Sequence, residues 1–119
     1  MRLIIAGSRS LAPSYGFIWD TIKMLGIHNI TEIVSGAARG VDSEGEHWAS
    51  HANVPVKRFP ADWDKHGKAA GPIRNAEMAK YGDQLLLIWD GESRGSANMK
   101  QQMERLKKPV FEVILRKDG

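Results

Sequence analysis

The sequence predicts an α/β protein with a Rossmann-like fold, in which a doubly wound, parallel five-stranded sheet has helices on both faces. Five apolar segments are the predicted strands, at residues 2–6, 31–35, 54–59, 84–89 and 109–115. The first and fourth segments are apolar without alternation, which is typical of parallel strands buried on both faces. Helical segments separate the strands. This alternation, with right-handed crossovers, favours the strand order 3-2-1-4-5, with the first strand central.

Two helices are predicted in the first half of the chain. Pro13 can open the first helix, because the N–H that proline lacks would be unpaired there. Its apolar stripe has the spacing i, i+4, i+7 and ends near Gly26; it consists of Ile18, Ile22 and Leu25. The second helix follows a loop at residues 36–40, and one of its faces carries Val41, Gly45, Trp48, Ala49 and Ala52. The third strand contains Pro55, which favours a position at the sheet edge.

The second half of the chain begins with residues 60–71, which are predicted to be an irregular loop. Pro72 then restarts a helix, predicted over 72–81, before the most apolar strand. The last helix again has an apolar stripe at i, i+4, i+7, formed by Met99, Met103 and Leu106. Residues 116–119 are predicted to be a solvated tail.

Length and composition predict one globular domain over residues 1–119. The apolar fraction is 42% and the charged fraction 26%, both ordinary for a globular protein. The sequence has no cysteine, which excludes disulfides and thiolate metal sites and fits a reducing compartment. No apolar run approaches the roughly 20 residues that span a membrane, and the start lacks a secretory pattern. We therefore expect a cytoplasmic protein. The net charge of +3 suits an anionic ligand, but the sequence has no dense Lys/Arg tract.

Glycine, serine and arginine recur where the predicted strands end. A parallel α/β sheet binds its ligands at the carboxyl ends of its strands, so these loops are expected to share one edge. The predicted ligand-binding residues are Gly7, Ser8, Arg9, Ser35, Gly36, Arg39, Gly40, Arg74, Asn75, Asp90, Gly91, Ser93, Arg94, Gly95 and Ser96.

Phosphate is the ligand group that these residue types favour. A helix start leaves N–H groups unpaired and carries partial positive charge, and glycine lets a phosphate approach them. Arginine adds a planar fork that can grip two phosphate oxygens. A single Gly/Ser loop is more often a turn than a site, so the prediction depends on the loops occurring together. The nicotinamide motif G-x-G-x-x-G and the P-loop G-x-x-x-x-G-K-[ST] are both absent.

The motifs GSR, SGAARGVD, GPIRN and SRGS together resemble the SLOG superfamily, named for DprA/Smf and LOG proteins. The wording ADW, GKAAGPIRNAEMA and WDG is similar to its small YspA-like branch. The resemblance implies a Rossmann-like domain that binds nucleotides or nucleotide-derived ligands. LOG proteins are phosphoribohydrolases that cleave the N-glycosidic bond of nucleoside monophosphates, DprA relatives bind single-stranded DNA, and other SLOG domains are proposed sensors.

The resemblance also implies roles for individual residues. Arg74 resembles the catalytic arginine of LOG proteins, and Gly95-Ser96 resembles the Gly-Thr of their glycine-rich motif. Three positions after Ser96 LOG proteins carry a catalytic glutamate, but this chain has Met99, which fits the core stripe. LOG chemistry therefore does not carry over intact. Other acids are candidate substitutes for this glutamate: Asp42, Glu46, Asp62, Asp64, Asp90 and Glu92.

Arg74, Asp42 and Glu92 are the catalytic candidates. Asp42 can equally cap a helix, and Glu92 can equally pair with Arg94. Two aromatic residues near the predicted site, Trp63 and Trp89, are candidates for stacking on a base. His47 and His51 are spaced i, i+4 but lack a third ligand, so no metal site is predicted.

Three functions follow from these observations. Binding or sensing a nucleotide-derived molecule is the first, a LOG-like phosphoribohydrolase is the second, and DprA-like binding of single-stranded DNA is the third. No cofactor is expected, and the resemblance implies a homo-oligomer, specifically a dimer. Arg74→Ala is expected to abolish ligand binding and to leave the melting temperature of the free protein nearly unchanged.

Overall fold

The structure is a computed structural model that describes residues 1–116, so the last three residues of the predicted domain and tail lie outside it. Five strands form one sheet: β1 (Arg2–Gly7), β2 (Glu32–Ser35), β3 (Val56–Arg58), β4 (Gln84–Trp89) and β5 (Val110–Ile114). Their order is β3-β2-β1-β4-β5, and every neighbouring pair is parallel. The predicted fold class, the strand order and the central position of the first strand are confirmed.

Helices follow the first four strands: α1 (Tyr15–Met24), α2 (Val41–Ala52), α3 (Trp63–His66), α4 (Ala70–Tyr81) and α5 (Arg94–Arg105). The helix α1 begins two residues after Pro13, where the Ser14 hydroxyl accepts a hydrogen bond from the Phe17 amide at 3.1 Å. No helix within residues 1–116 is long and apolar enough to cross a membrane.

The prediction of an irregular loop over residues 60–71 is wrong, because most of these residues are helical. Asp62 caps α3 by accepting a hydrogen bond from the Lys65 amide at 3.1 Å, and a 3-10 turn at Gly67–Ala69 leads into α4. The helix α4 therefore starts two residues before Pro72, which lies in its first turn, where an N–H has no intrahelical partner. A four-residue helix is too short to show an apolar period, so the sequence pattern did not reveal it.

Alternate side chains of β1 enter two separate cores. Leu3 and Ile5 pack with the buried residues of α1 and α2, whereas Ile4 and Ala6 pack with those of α4 and α5. The helices therefore cover both faces of the sheet, as predicted. The winding reverses between β1 and β4, because α1 and α2 cover one face and α4 and α5 the other. Open α/β sheets bind ligands at this kind of switch point, outside the carboxyl ends of the strands.

Candidate functional site

A cavity of about 840 Å³ opens at the carboxyl ends of the strands, over the switch point between β1 and β4. One side of its wall is formed by the end of β1, the loops after β1 and β2, and the start of α2, and includes Gly7, Ser8, Arg9, Arg39 and Asp42. The segment around α3 and α4 and the start of α5 supply the rest, including Trp63, Arg74, Asn75, Ser93, Arg94, Gly95 and Ser96. These predicted residues therefore converge on one concave site.

A chain of hydrogen bonds joins the β1 and β4 loops across the switch point. The Ser93 hydroxyl donates to Oδ1 of Asp90 at 2.8 Å, and Oγ of Ser8 lies 2.7 Å from Oγ of Ser93. Because a serine hydroxyl carries one proton, Ser8 must be the donor to Ser93. The Asp90 amide donates to Oγ of Ser8 at 3.1 Å. Both hydroxyl protons are thus committed within the protein, and neither serine donates to a ligand without breaking this chain.

Asp90 organises the loop between β4 and α5. Its Oδ1 also accepts hydrogen bonds from the Glu92 amide at 2.8 Å and the Ser93 amide at 2.9 Å. These bonds stabilise the carboxylate and lower the pKa of Asp90 from 3.8 to about 2. Asp90, Gly91 and Glu92 lie outside the cavity wall, which argues against the ligand contacts predicted for Asp90 and Gly91 and the catalytic role predicted for Glu92.

The start of α5 is the part of the wall best suited to an anion. Ser96 is 5% exposed, and its hydroxyl has no hydrogen-bond partner within residues 1–116. The first turn of this helix contains no acidic residue. A Cβ added at Gly95 would meet no atom within 4 Å, so the space beside that backbone is open. Backbone N–H groups without intrahelical partners, an unpartnered hydroxyl and the helix dipole are the features that favour an anion at a helix start.

Arg74 connects three segments at the carboxyl ends of the strands. Its Nη1 donates to the Gly36 carbonyl and, at 3.4 Å, to the Phe59 carbonyl, while its Nε donates to Oδ1 of Asn75 at 3.0 Å. Burial lowers the pKa of Arg74, which opposes the effect of the nearby Asp42 carboxylate. Much of the guanidinium is therefore engaged by the protein, and its removal is expected to cost stability. These contacts argue against the expectation that Arg74→Ala leaves the melting temperature unchanged.

Asn75 holds the other side of the cavity through two hydrogen bonds of its side-chain amide. Its Nδ2 donates to the Gly95 carbonyl at 3.3 Å and to Oδ1 of Asn98 at 3.1 Å. Two consecutive residues of α4 thus hold the β2–α2 loop and the start of α5, and the Arg74–Asn75 hydrogen bond couples them.

Asp42 is a buried carboxyl on the cavity wall, 5% exposed. Burial raises its pKa from 3.8 to about 6, although the Ala38 amide, 3.3 Å from Oδ2, and the charge of Arg74 favour its ionised form. A Cβ at Gly36 would lie 2.7 Å from both Oδ2 of Asp42 and Nη1 of Arg74. Gly36 therefore makes room for these two side chains and does not itself line the cavity.

Four cationic side chains on the wall are exposed: Arg9, Arg39, Lys68 and Arg94. Within residues 1–116 none of them has a carboxylate within 4.0 Å. The Arg9 guanidinium lies 5.7 Å from the ring centroid of Trp63, which is 49% exposed. The positive charge at this edge is therefore available to a ligand.

Comparison with known proteins places the chain in a family. The sequence model of the YspA, cpYpsA-related SLOG family matches residues 1–66, more than half of the chain. The chain belongs to this SLOG family. It is 31% identical to the Gene 61 protein of Mycobacterium phage D29 over 119 aligned residues, which cover 92% of this chain and 94% of the phage protein. No solved structure matches the chain significantly.

Met99 is the residue that the resemblance to LOG proteins aligns with their catalytic glutamate. It is 1% exposed and packs with Met103 and Met78 in the core beneath α4 and α5, and it also contributes to the cavity floor. The structure thus places Met99 in the core, as the apolar stripe predicts. The floor of the cavity is apolar at this point, so an acid needed for chemistry must come from elsewhere on the wall.

Other residues of the predicted site lie off the cavity wall. The Ser35 hydroxyl donates to Oε2 of Glu46 at 2.6 Å and so fixes the end of β2. Gly40 precedes α2 with φ +79°, and a Cβ there would lie 2.6 Å from the carbonyl oxygens of Ser8 and Arg9. Gly40 is thus a packing and turn residue, because a side chain would be strained in that conformation.

Trp89, proposed for base stacking, is 8% exposed, and its Nε1 donates to Oε2 of Glu112 at 2.7 Å. It packs in the core on the face covered by α4 and α5 and is not part of the cavity wall. Its position at the end of an apolar strand is the signal for packing that the sequence already contained. Trp63 remains as the aromatic side chain predicted to stack on a base.

Three polar residues of the wall are missing from the predicted site, namely Ser10, Lys68 and Asn98. Ser10 directly follows the predicted Arg9 in the same loop. Asn98 lies one helical turn after Arg94, so projecting α5 onto a helical wheel would have found it on the cavity side. Lys68 lies in the 3-10 turn before α4, and the irregular loop predicted there concealed its position.

Proposed function

We propose that the cavity binds a nucleotide or a nucleotide-derived small molecule. The observation that carries this proposal is the start of α5, where Ser96 lines the cavity and its buried hydroxyl has no partner within residues 1–116. The same wall carries exposed cations that have no carboxylate within 4.0 Å in the described chain. A phosphate group supplies the acceptors that this hydroxyl and the first-turn amides lack. Membership of the SLOG family supports a ligand of the nucleotide class.

The remaining parts of a nucleotide also have candidate partners. The exposed ring of Trp63 offers a stacking surface for a base, and Arg9 lies beside the same ring. Asn98 and Asn75 present amide groups next to the start of α5, but the Asn75 amide already donates to two protein acceptors. We therefore expect Trp63 to contribute to base binding and Asn75 to hold the phosphate subsite in shape.

A thermal-shift screen of nucleotides tests the proposal. A ligand at 100 times its dissociation constant stabilises the folded state by about 2.7 kcal/mol, so binding raises the melting temperature. We expect Arg94→Gln to reduce this rise. Arg105→Gln, at the opposite end of α5, is the matched control and is expected to retain it. The proposal fails if no nucleotide at millimolar concentration raises the melting temperature of the wild-type protein.

Cleavage of an N-glycosidic bond is the second candidate function, and Asp42 is the observation that favours it. In this reaction the C–N bond breaks and the leaving base takes a proton, while water adds its hydroxyl to the anomeric carbon and gives its other proton back to the group that protonated the base. A carboxyl with a pKa of about 6 on the cavity wall can donate that proton. Chromatography of nucleoside monophosphates incubated with the protein would then show free base. Asp42→Asn is expected to abolish its release, and Glu92→Gln, an exposed acid off the wall, to retain it.

Single-stranded DNA binding, a homo-oligomer and a cytoplasmic location stay predictions. Light scattering after size-exclusion chromatography measures the mass in solution and decides between a monomer and a dimer. A salt-dependent mobility shift with an oligonucleotide would favour the DNA-binding function.

A further inference from the structure

The cavity wall carries more positive charge than one phosphate group neutralises. Arg9, Arg39, Lys68 and Arg94 are all exposed there and have no carboxylate within 4.0 Å in residues 1–116. Asp42 is the acidic residue on the described part of this wall, and its raised pKa reduces the negative charge it brings. A phosphate monoester carries a charge of about −1.5 to −2 near pH 7. At least two of the four exposed cations would thus lack a partner beside a bound monophosphate.

These cations come from different sides of the switch point. Arg94 opens α5 after β4, whereas Arg39 belongs to the loop after β2, and β1 lies between the two strands. Neighbouring strands are about 4.8 Å apart, so the two loops start from backbones separated by roughly 10 Å. Arg9 belongs to the loop after β1, between them. The positive charge therefore extends across the cavity instead of surrounding a single point.

Resting on the proposed function, we infer that the ligand contains a pyrophosphate, with one phosphoryl group at the start of α5 and the other toward Arg39. The volume of about 840 Å³ is in the upper part of the range of roughly 300–1,000 Å³ found for ligand pockets, so the larger ligand can be accommodated. The pyrophosphate can belong to a nucleoside diphosphate, with a terminal phosphate, or to a diester in which it joins two sugars. Both sources present the same linked phosphoryl groups to the wall.

Arg74 adds a further positive charge to the wall, but much of its guanidinium is already held by the protein. Its Nη1 and Nε already donate to Gly36, Phe59 and Asn75. The guanidinium groups of Arg9, Arg39 and Arg94, by contrast, have no carboxylate within 4.0 Å among the described residues. One such planar fork on each side of the switch point matches a pair of linked phosphoryl groups. Removing Arg39 should therefore affect only ligands that have the second phosphoryl group.

Isothermal titration at 150 mM salt with AMP, ADP and ADP-ribose tests the inference, with inorganic phosphate and inorganic pyrophosphate as competitors. We expect ADP to bind about tenfold more tightly than AMP, as for one added charge-assisted contact. Arg39→Gln should remove this advantage and leave AMP binding unchanged, while Arg94→Gln should weaken both nucleotides. Arg105→Gln is the control expected to change neither. Comparison of ADP with ADP-ribose distinguishes a terminal phosphate from a sugar diester.

The other outcomes distinguish a failure of the pyrophosphate inference from a failure of the proposed function. If AMP and ADP bind equally, the pyrophosphate inference is overturned while the proposed function stands. If ADP keeps its advantage in Arg39→Gln, the second phosphoryl group does not lie toward that arginine, and the inference is likewise overturned. If none of the nucleotides binds, the proposed function fails first. Tighter binding of a thymidine oligonucleotide than of ADP, unaffected by Arg94→Gln, would replace both with nucleic-acid binding.

Discussion

Replacing Asp42 with asparagine is expected to reverse a pH-dependent loss of stability. The carboxyl is almost completely buried, and the one backbone amide that donates to it, that of Ala38, is 3.3 Å away. Arg74 lies near but makes no ion pair with it within 4.0 Å in the described chain. Ionising Asp42 in the folded state is therefore costly, and asparagine removes that cost while keeping an acceptor oxygen.

The magnitude follows from the pKa of Asp42. A rise from 3.8 to about 6 corresponds to about 3 kcal/mol, at 1.36 kcal/mol per pH unit. Because the folded pKa lies above the unfolded pKa, the folded state binds the proton more tightly. This stabilisation is fully present below about pH 4 and is lost as the pH rises through 6. Most of the loss, about 2 kcal/mol, falls between pH 4.5 and pH 8.

Urea denaturation at several pH values between 4.5 and 8 measures this change. The free energy of unfolding of Asp42→Asn minus that of the wild type should rise by about 2 kcal/mol over this range. Any effect of the asparagine amide on stability that does not depend on pH cancels when the values at different pH are compared. Asp20→Asn, at an exposed position of α1, is the control and should show a constant difference. If the difference in free energy of unfolding between Asp42→Asn and the wild type is also constant with pH, the raised pKa of the buried Asp42 carboxyl is refuted.

Three further substitutions test other parts of the site and the core. Arg74→Ala should lower the free energy of unfolding, measured in urea, by about 2–3 kcal/mol, because it removes charged hydrogen bonds to two loops. An unchanged denaturation midpoint would instead support a role of Arg74 in ligand binding alone. Ser96→Ala should stabilise the free protein by about 1 kcal/mol, since it removes a buried unpartnered hydroxyl, and yet weaken AMP binding, whereas Ser50→Ala on α2 should alter neither. Met99→Ala should cost about 2–5 kcal/mol in the same assay; a loss below 1 kcal/mol would argue against a core position.

The fold was predictable because its signals are long and repeated. The continuous apolar runs of β1 and β4 report burial on both faces of the sheet. The predicted helix stripes report one buried face through Ile18 and Ile22 of α1 and Met99 and Met103 of α5. Their last members, Leu25 and Leu106, are exposed, because each lies just past the end of its helix. Right-handed connection then leaves few strand orders. The helix α3 escaped because its four residues depend on a capping aspartate and not on a period.

The site was predictable as a place but not residue by residue. Gly, Ser and Arg at strand ends correctly located the cavity, yet the same residue types also build tight turns. Ser8 and Ser93 bond to each other, and Gly36 makes room for two charged side chains. Whether a hydroxyl proton is free depends on neighbours distant in sequence, such as Ser8 and Ser93, which are 85 residues apart. Local sequence patterns carry no information about such pairs.

An amide NMR titration of the ¹⁵N-labelled protein with ADP tests the central claim most directly. If the strand-end loops form one nucleotide cavity, the largest shifts will be at Gly95 and Ser96 and then at Arg39, while His28 and Asn29, at the opposite edge of the sheet, stay unmoved. Shifts that are confined to that opposite edge, or no shifts at saturating ADP, would contradict the account.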